Sequence, residues 1–93
     1  MMFWVYGIKS QNHDRIYIGQ TCDLEKRLKA HNRGVVRSTK KDRPWEIIAI
    51  ERCETLGAAR WLEFQLKNSR GRRLKWLKTC STELRTGGGE EKI

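Results

Sequence analysis

Two short apolar segments with a polar cluster between them predict a β-hairpin at the start of the chain. Residues 3–9 and 15–20 are rich in aromatic and β-branched side chains, and the letters SQNHD separate them. A four-residue connection, Ser10–His13, places Tyr6 opposite Tyr17, and this is the pairing we expect. A five-residue connection would put the two tyrosines on opposite faces, because a one-residue slip moves every side chain to the other face.

After the hairpin the apolar spacing becomes helical and predicts a helix over residues 23–33. Apolar and histidine side chains recur at i, i+4 and i+7 on one face, namely Leu24, Leu28 and His31. Thr21 or Asp23 supplies a cap at the start, and Gly34 supplies a stop signal at the end. Arg27 borders the apolar face, so its side chain is expected at the edge of the core.

The second half of the chain predicts a strand and two helices. The segments are a basic loop at 35–44, a strand at 45–53, a helix at about 55–69 and a short basic helix at about 72–79. The expected core stripe of the first of these helices is Leu56, Ala59, Leu62 and Leu66. Glu63 lies at the edge of that stripe, so an ionisable side chain is expected beside the core.

The length of 93 residues suits one small domain and excludes two. We expect the folded domain to span residues 1–80, and residues 81–93, which include three consecutive glycines, to be a disordered tail. A hydrophobic content of 38% argues for a folded core rather than a disordered basic chain. No apolar run approaches the roughly 18 residues of a membrane span, so we expect no membrane association and a cytoplasmic location.

The cysteines are three in number and include no C-x-x-C pair. This arrangement argues against a disulfide framework and against a zinc site. We therefore expect Cys22, Cys53 and Cys80 to be single buried thiols, and we expect no disulfide-linked partner.

The charge of the chain is strongly positive, with 20 Lys and Arg against 11 Asp and Glu, a net charge of +9. Eight basic residues and one acidic residue lie between Lys26 and Arg43, and six basic residues and no acidic one lie between Lys67 and Lys78. Two basic clusters and a pI of about 10.0 are typical of a nucleic-acid-binding protein. A solvated basic surface without a ligand is the alternative interpretation.

Several polar side chains are predicted to converge on one face of the hairpin. They are Tyr6 and Tyr17 from the strands and Arg27, His31 and Glu63 from the helices. Ionisable groups seldom lie beside a core without a partner, so their combination suggests a polar pocket. Each also has a structural interpretation: strand aromatics, an Arg27–Asp23 ion pair, a histidine favoured at a helix C-terminus, and a Glu63–Lys67 surface pair.

Five short motifs follow one another along residues 3–78. They are WVY at 4–6, YIG at 17–19, GQTCDLEKRLKAH at 19–31, STK at 38–40 with PW at 44–45, and EFQLK at 63–67. In this order they resemble the GIY-YIG endonuclease superfamily, whose pattern G-x-T-x-D-L-x-x-R-L-x-x-H the third motif matches. The chain resembles the compact, single-domain members related to the nuclease module of the bacterial excision-repair incision subunit. It departs from the family in lacking the letters G-I-Y, although Tyr6 is kept.

The resemblance implies an α/β fold in which helices flank a three-stranded antiparallel sheet, formed by the N-terminal hairpin and a third strand. It also implies hydrolysis of DNA with one divalent ion, Mg²⁺ or alternatively Mn²⁺, held by Glu63. A two-metal site needs several clustered carboxylates, and Glu63 is the only carboxylate expected at a core edge, so the sequence favours one metal over two.

The resemblance further assigns a role to each candidate catalytic residue. Tyr6, aided by Tyr17 or His31, would activate the attacking water, and Arg27 would stabilise charge on the phosphate. A phenol with its usual pKa of about 10 is a poor base at pH 7. The role of Tyr6 therefore requires positive neighbours that lower this pKa.

A second group of residues is expected to contact the nucleic acid. It consists of Gly19, Thr39, Lys40, Lys41, Lys67, Arg72 and Arg73. The basic residues would hold the backbone without reading sequence, and Gly19 would let a phosphate approach closely. Asn68 is a candidate for an asparagine that some family members use late in the domain.

Two other functions stay open. A non-catalytic nucleic-acid-binding module with the same fold is the main alternative, although it has no chemical reason to keep all five candidate catalytic residues. A protein-interaction adaptor would need an exposed apolar patch, for which only Leu74, Trp76 and Leu77 are candidates. A nuclease of this kind is also compatible with a protein partner that supplies specificity, and with a preference for branched DNA in repair or recombination.

Overall fold

A computed structural model describes residues 2–81. In chain order the elements are β1 (Phe3–Ser10), β2 (Ile16–Thr21), α1 (Leu24–Arg33), a 3₁₀ helix (Arg37–Asp42), β3 (Trp45–Cys53), α2 (Leu56–Asn68) and α3 (Arg70–Thr79). The strands form an antiparallel sheet in the order β2-β1-β3. The predicted α/β class, with helices flanking a three-stranded antiparallel sheet, is confirmed.

The hairpin between β1 and β2 has a longer connection than the sequence predicts. Residues 10–15 form the connection, and Tyr6 pairs with Gly19 rather than with Tyr17. The Ser10 hydroxyl accepts hydrogen bonds from the backbone N–H groups two and three residues on, at 3.2 and 3.0 Å, and so stabilises a wider turn. The predicted register is therefore wrong by two residues. A two-residue shift leaves every side chain on its original face, so both tyrosines still share one face.

Each α-helix begins after a polar residue whose side chain accepts a hydrogen bond from a backbone N–H. Asp23, Thr55 and Ser69 accept from the N–H three residues on, at 3.1, 3.0 and 3.3 Å. Gly34 ends α1 with a φ of 82°, a left-handed conformation that favours glycine. The first two predicted helices are confirmed to within one residue at each end. The third begins at Arg70, two residues before its predicted start, because Ser69 caps it.

The basic segment at 35–44, predicted as a loop, contains the 3₁₀ helix. The carbonyl of Thr39 accepts a hydrogen bond from the Trp45 indole at 2.8 Å, and Trp45 itself is buried. The carbonyl of Asp42 accepts from the Ser10 hydroxyl at 2.6 Å. These contacts fasten the segment to β3 and to the hairpin, and they fix the position of Thr39.

Apolar side chains pack on both faces of the sheet. One buried cluster consists of Val5, Ile18, Ala49, Cys53, Ala59, Leu66 and Trp76, and the other of Tyr6, Ile8 and Trp45. Leu24 and Leu28 of α1 pack against the second cluster. Of the predicted α2 stripe, Ala59, Leu62 and Leu66 pack in the core as expected, whereas Leu56 is exposed. Leu56 is the first residue of α2, so it stands at the outer end of the stripe.

The candidate residues for the exposed apolar patch that a protein-interaction adaptor would need do not form one. Trp76 is 7% exposed, with its indole N–H hydrogen-bonded, and Leu77 packs against the core, so only Leu74 of the three is exposed. The exposed aromatic side chains of the described region lie instead on α2. They are Trp61 and Phe64, whose rings stack with their centroids 5.8 Å apart.

The three cysteines differ in exposure. Cys53 is buried and Cys80 is partly buried, but Cys22 is exposed in the turn between β2 and α1. The expectation of three buried thiols is therefore wrong for Cys22. Burial, with a smaller contribution from the Glu51 carboxylate, raises the pKa of the Cys53 thiol.

The predicted tail at 81–93 lies almost entirely outside the described residues. Its first residue, Ser81, forms an isolated bridge with Ala49 at the edge of β3, and residues 82–93 are outside the description. Between residues 2 and 81, no helix combines the length and the apolar character that a membrane span requires.

Candidate active site

The hydroxyl group of Tyr6 is the centre of a hydrogen-bonded cluster. Tyr6 lies on the central strand β1 and is 2% exposed. Its oxygen is 2.8 Å from Nε2 of His31 and 3.4 Å from Nε of Arg27. Because these two residues are four apart on α1, one side of that helix presents both to the strand. Three of the five predicted catalytic residues are thus brought into contact.

The ring of Tyr17 packs beside this cluster from β2. Its centroid is 6.4 Å from that of Tyr6 and 5.2 Å from that of His31. The ammonium of Lys67 lies 5.4 Å from the centroid of the Tyr17 ring. The two tyrosines therefore share one face of the hairpin, as predicted, and α2 reaches the cluster through Lys67.

Gly19 lies directly beneath the Tyr6 side chain. A Cβ at this position would be 2.5 Å from Oη of Tyr6 and 2.6 Å from its Cζ. The sequence predicts that this space admits a phosphate, but the structure fills it with the tyrosine ring. Gly19 is therefore the residue that lets the Tyr6 hydroxyl enter the cluster.

Thr39 extends the cluster towards the interior. It is fully buried, and its Oγ1 lies 2.8 Å from Nδ1 of His31. The prediction that Thr39 contacts nucleic acid is therefore wrong, because no surface of this residue reaches solvent. The sequence carries no signal for the buried role, since Thr39 stands in a basic segment without apolar periodicity.

Burial controls the ionisation of the cluster. Burial raises the pKa of Tyr6; the hydrogen bond from Arg27 opposes this increase only in part, and the nearby charge of Glu63 adds to it slightly. The lowered pKa that the role of Tyr6 requires is therefore not found: Arg27 lowers this pKa, but burial outweighs its effect. Burial, followed by the charge of Arg27, lowers the pKa of His31 to about 4, so its imidazole is neutral at pH 7. The hydrogen bond to Tyr6 raises the pKa of Arg27, which keeps its charge.

Glu63 approaches the cluster from α2 and forms an ion pair. Its Oε2 lies 2.7 Å from Nζ of Lys67, and its side chain is 21% exposed. The Glu63–Lys67 pair considered from the sequence is thus formed. The carboxylate nevertheless remains accessible from solvent, and its partner Lys67 lies over the Tyr17 ring beside the cluster.

A groove of about 530 Å³ begins at Tyr17 and follows α3. Its basic lining residues are Lys67, Arg70 and Arg73. Arg70 was not singled out in the sequence, although it falls within the second basic cluster. Arg72, predicted to contact nucleic acid, lies instead on the other side of α3, where it borders a separate depression with Glu51. The helical period of 3.6 residues places the side chain of Arg72 on a different side of α3 from those of Arg70 and Arg73.

A family model described as the GIY-YIG catalytic domain matches residues 2–77 of the chain. The chain belongs to the GIY-YIG family. Family membership indicates a nuclease, with endonuclease activity and DNA as its substrate. A comparison with curated proteins found no match. The closer relation to the excision-repair incision subunit stays a prediction.

The side chains of this GIY-YIG domain fit a divalent ion that has few protein ligands better than one that is coordinated by protein side chains alone. Within residues 2–81, no three His, Cys, Asp or Glu side chains gather into a metal-binding group. Mg²⁺ usually keeps several waters and needs only one or two carboxylates in addition to substrate phosphates. The single carboxylate of Glu63, partly exposed beside the Tyr6 cluster, fits that requirement.

The remaining candidates lie on the surface of the GIY-YIG domain. Lys40 and Lys41 are exposed on the 3₁₀ helix, next in sequence to Thr39. Asn68 is exposed at the end of α2, and its side-chain amide donates to the Phe64 carbonyl at 2.8 Å. The two lysines therefore extend the basic surface, whereas the Asn68 amide bonds within its own helix.

Proposed function

We propose that this GIY-YIG domain is a divalent-metal-dependent endonuclease that hydrolyses phosphodiester bonds in DNA. The observation that carries the proposal is the convergence of Tyr6, His31 and Arg27 at hydrogen-bond distances. Glu63 is linked to this cluster through its ion pair with Lys67, whose ammonium lies over the Tyr17 ring. Hydrolysis requires a proton acceptor, a cation directed at the phosphate and an oxygen ligand for the metal. A module that only binds DNA requires none of these groups in a buried cluster, which makes it the weaker alternative.

The cluster supports a proton path for the attack of water on phosphorus. The water must lose one proton, which Oη of Tyr6 would accept while its own hydrogen passes to Nε2 of His31, 2.8 Å away. A bond then forms between the water oxygen and phosphorus as the bond to the leaving oxygen breaks. Arg27 would donate to the phosphate oxygens, whose negative charge increases in the transition state. Neutralisation of Arg27 by phosphate would also remove one of the two causes that keep His31 from accepting a proton.

Glu63 is the residue that would hold the metal ion, Mg²⁺ or in its place Mn²⁺. A bound divalent ion supplies a Lewis acid that polarises the phosphate and stabilises the leaving oxygen. Lys67 balances the charge of Glu63. Its exposed position lets it turn to a DNA phosphate once the carboxylate is occupied.

The groove beside Tyr17 offers a path for the DNA backbone. Its cations, Lys67, Arg70 and Arg73, lie on one side of the Tyr6 cluster. Contacts of this kind bind phosphates and position the DNA, but they do not distinguish bases. We therefore extend the proposal to substrates that are recognised by shape, such as branched DNA, rather than by sequence.

Cleavage assays test the proposed activity directly. The purified protein, incubated with labelled linear, flap and four-way DNA, is expected to cleave at least one of them in Mg²⁺ and none in EDTA. Arg27→Ala should abolish turnover and weaken binding by no more than one phosphate contact. DNA binding without cleavage of any substrate in Mg²⁺ or Mn²⁺ would instead favour the non-catalytic module.

Two arginines on opposite sides of α3 test the path of the backbone. Arg70→Gln is expected to reduce the slope of log K against log salt by about one, because one fewer counterion is released when DNA binds. Arg72→Gln should leave that slope unchanged, since Arg72 lies outside the groove. Binding would be measured by fluorescence anisotropy at several salt concentrations. Equal slopes of log K against log salt for both variants would show that the DNA backbone does not follow the groove.

A further inference from the structure

We infer that Thr39 is a positioning residue that holds His31 in the tautomer whose Nε2 accepts the proton of Tyr6. Thr39 makes no contact with solvent, so it acts through His31 and not on the substrate. The inference rests on the proposed function in one respect, namely that Tyr6 and His31 act together in cleavage. The tautomer itself follows from the hydrogen-bond partners at the two ends of the cluster, which are Tyr6 at Nε2 of His31 and Thr39 at Nδ1.

At the first end, His31 is the one side-chain acceptor that residues 2–81 place at hydrogen-bond distance from the Tyr6 hydroxyl. Among residues 2–81, the side-chain atoms at hydrogen-bond distance are Nε2 of His31 at 2.8 Å and Nε of Arg27 at 3.4 Å. A guanidinium only donates, so the hydrogen of Tyr6 cannot go to Arg27. Of these two side chains only His31 can accept it, and in that arrangement Nε2 carries no hydrogen.

At the second end, the Thr39 hydroxyl meets a backbone carbonyl. Its Oγ1 donates to the oxygen of Val36 at 3.3 Å, and a carbonyl oxygen only accepts. A hydroxyl has one hydrogen, so Oγ1 can meet Nδ1 of His31 only as an acceptor, at 2.8 Å. Nδ1 must therefore carry the hydrogen of the neutral ring. The contacts at both ends favour the same tautomer.

The opposite tautomer would lose one hydrogen bond and leave one buried donor, the Tyr6 hydroxyl, without an acceptor. With a hydrogen on Nε2, His31 and Arg27 would both donate to Tyr6, whose own hydrogen would be left without an acceptor in a buried site. The Thr39 hydroxyl would then have to turn from Val36 to Nδ1. A neutral His31 of this kind could not accept a proton from Tyr6.

The surroundings of Thr39 hold its hydroxyl in place. The Thr39 N–H donates to the Val36 carbonyl at 3.1 Å, and its own carbonyl accepts from the Trp45 indole at 2.8 Å. The hydrogen bond on one ring nitrogen determines the protonation of the other. The buried 3₁₀ turn thus sets which nitrogen of His31 faces Tyr6.

The test is the ¹⁵N NMR spectrum of the imidazoles in the full-length protein, compared with cleavage kinetics. The chain has two histidines, so a spectrum of His13→Gln assigns the signals of His31. In the wild-type protein we expect a protonated Nδ1 and an unprotonated Nε2. Thr39→Ser keeps the hydroxyl and should keep this tautomer. Thr39→Val keeps the shape and should show a mixture, with kcat lower by about 10-fold to 100-fold and KM unchanged.

Each outcome of this experiment decides the inference. A wild-type spectrum with a hydrogen on Nε2 overturns it, and so does a Thr39→Val protein that retains both the tautomer and kcat. If Thr39→Val does not fold, the wild-type spectrum and Thr39→Ser still decide. The expected tautomer in a protein that cleaves no DNA would confirm the arrangement of His31 and reject the proposed function.

Discussion

Replacing Glu63 with Gln is expected to abolish cleavage while leaving DNA binding in EDTA unchanged or tighter. The substitution keeps the size of the side chain and its helix propensity, but it removes the negative charge that would hold the metal ion. Lewis-acid stabilisation is worth several kcal/mol, so the rate should fall by about 10³-fold or more. Binding should not weaken, because a negative charge near the DNA phosphates has been removed. Cleavage rates across a Mg²⁺ titration and binding in EDTA measure the two effects separately.

The matched control is Glu25→Gln on α1. Glu25 and Lys29 form the same kind of i,i+4 pair as Glu63 and Lys67, with 3.7 Å between Oε2 and Nζ. Such exposed pairs contribute only about 0.3–0.5 kcal/mol, so this variant should cleave normally. Wild-type cleavage by Glu63→Gln at several Mg²⁺ concentrations would show that Glu63 serves only as an ion-pair partner. The non-catalytic binding module would then be the better interpretation.

Most elements of the fold follow from local rules that the sequence displays. Asp23 and Thr55 cap helices, and Gly34 ends one, because each acts on backbone groups within a few residues. The hairpin register is less local, since two bonds to the Ser10 hydroxyl lengthen its connection. The predicted register is wrong by two residues, and a shift of two leaves each side chain on its original face of the sheet. For this reason the predicted grouping of the two tyrosines is correct although the predicted pairing is wrong.

The parts of the site that sequence reasoning missed depend on three-dimensional packing. Thr39 is a polar residue in a basic segment, and only the packing of that segment against Trp45 and His31 shows that it is buried. The pKa of Tyr6 results from a competition between burial and the charge of Arg27, and the sequence reveals the charge but not the burial. Arg70 and Arg72 are alike in sequence and differ only in the side of α3 on which they lie.

Gly19→Ala is expected to destabilise the protein and to inactivate it. The new Cβ would stand 2.5 Å from Oη and 2.6 Å from Cζ of Tyr6, closer than real Cβ atoms come to other atoms, and 3.1 Å from Cε2 of Tyr17. Tyr6 is buried on the central strand, so it has little room to withdraw. Overpacking of this kind costs about 1–3 kcal/mol of unfolding free energy, which urea denaturation would measure. A shift of the hydroxyl by about 1 Å would also break its bond to His31 and lower cleavage by about 100-fold.

Gly57→Ala provides the control for Gly19→Ala. A Cβ at Gly57, in the first turn of α2, meets nothing within 4 Å, so alanine should stabilise the protein by about 0.4–1 kcal/mol. Its cleavage rate should equal that of the wild-type protein. If Gly19→Ala retained wild-type stability and cleavage, the Tyr6 ring would have to be free to move, and its bonds to His31 and Arg27 would not be needed for the reaction. If Gly19→Ala unfolds at low urea but cleaves normally when folded, Gly19 serves packing alone. Loss of both stability and cleavage would show that the chemistry of Tyr6 depends on the close approach of β1 and β2.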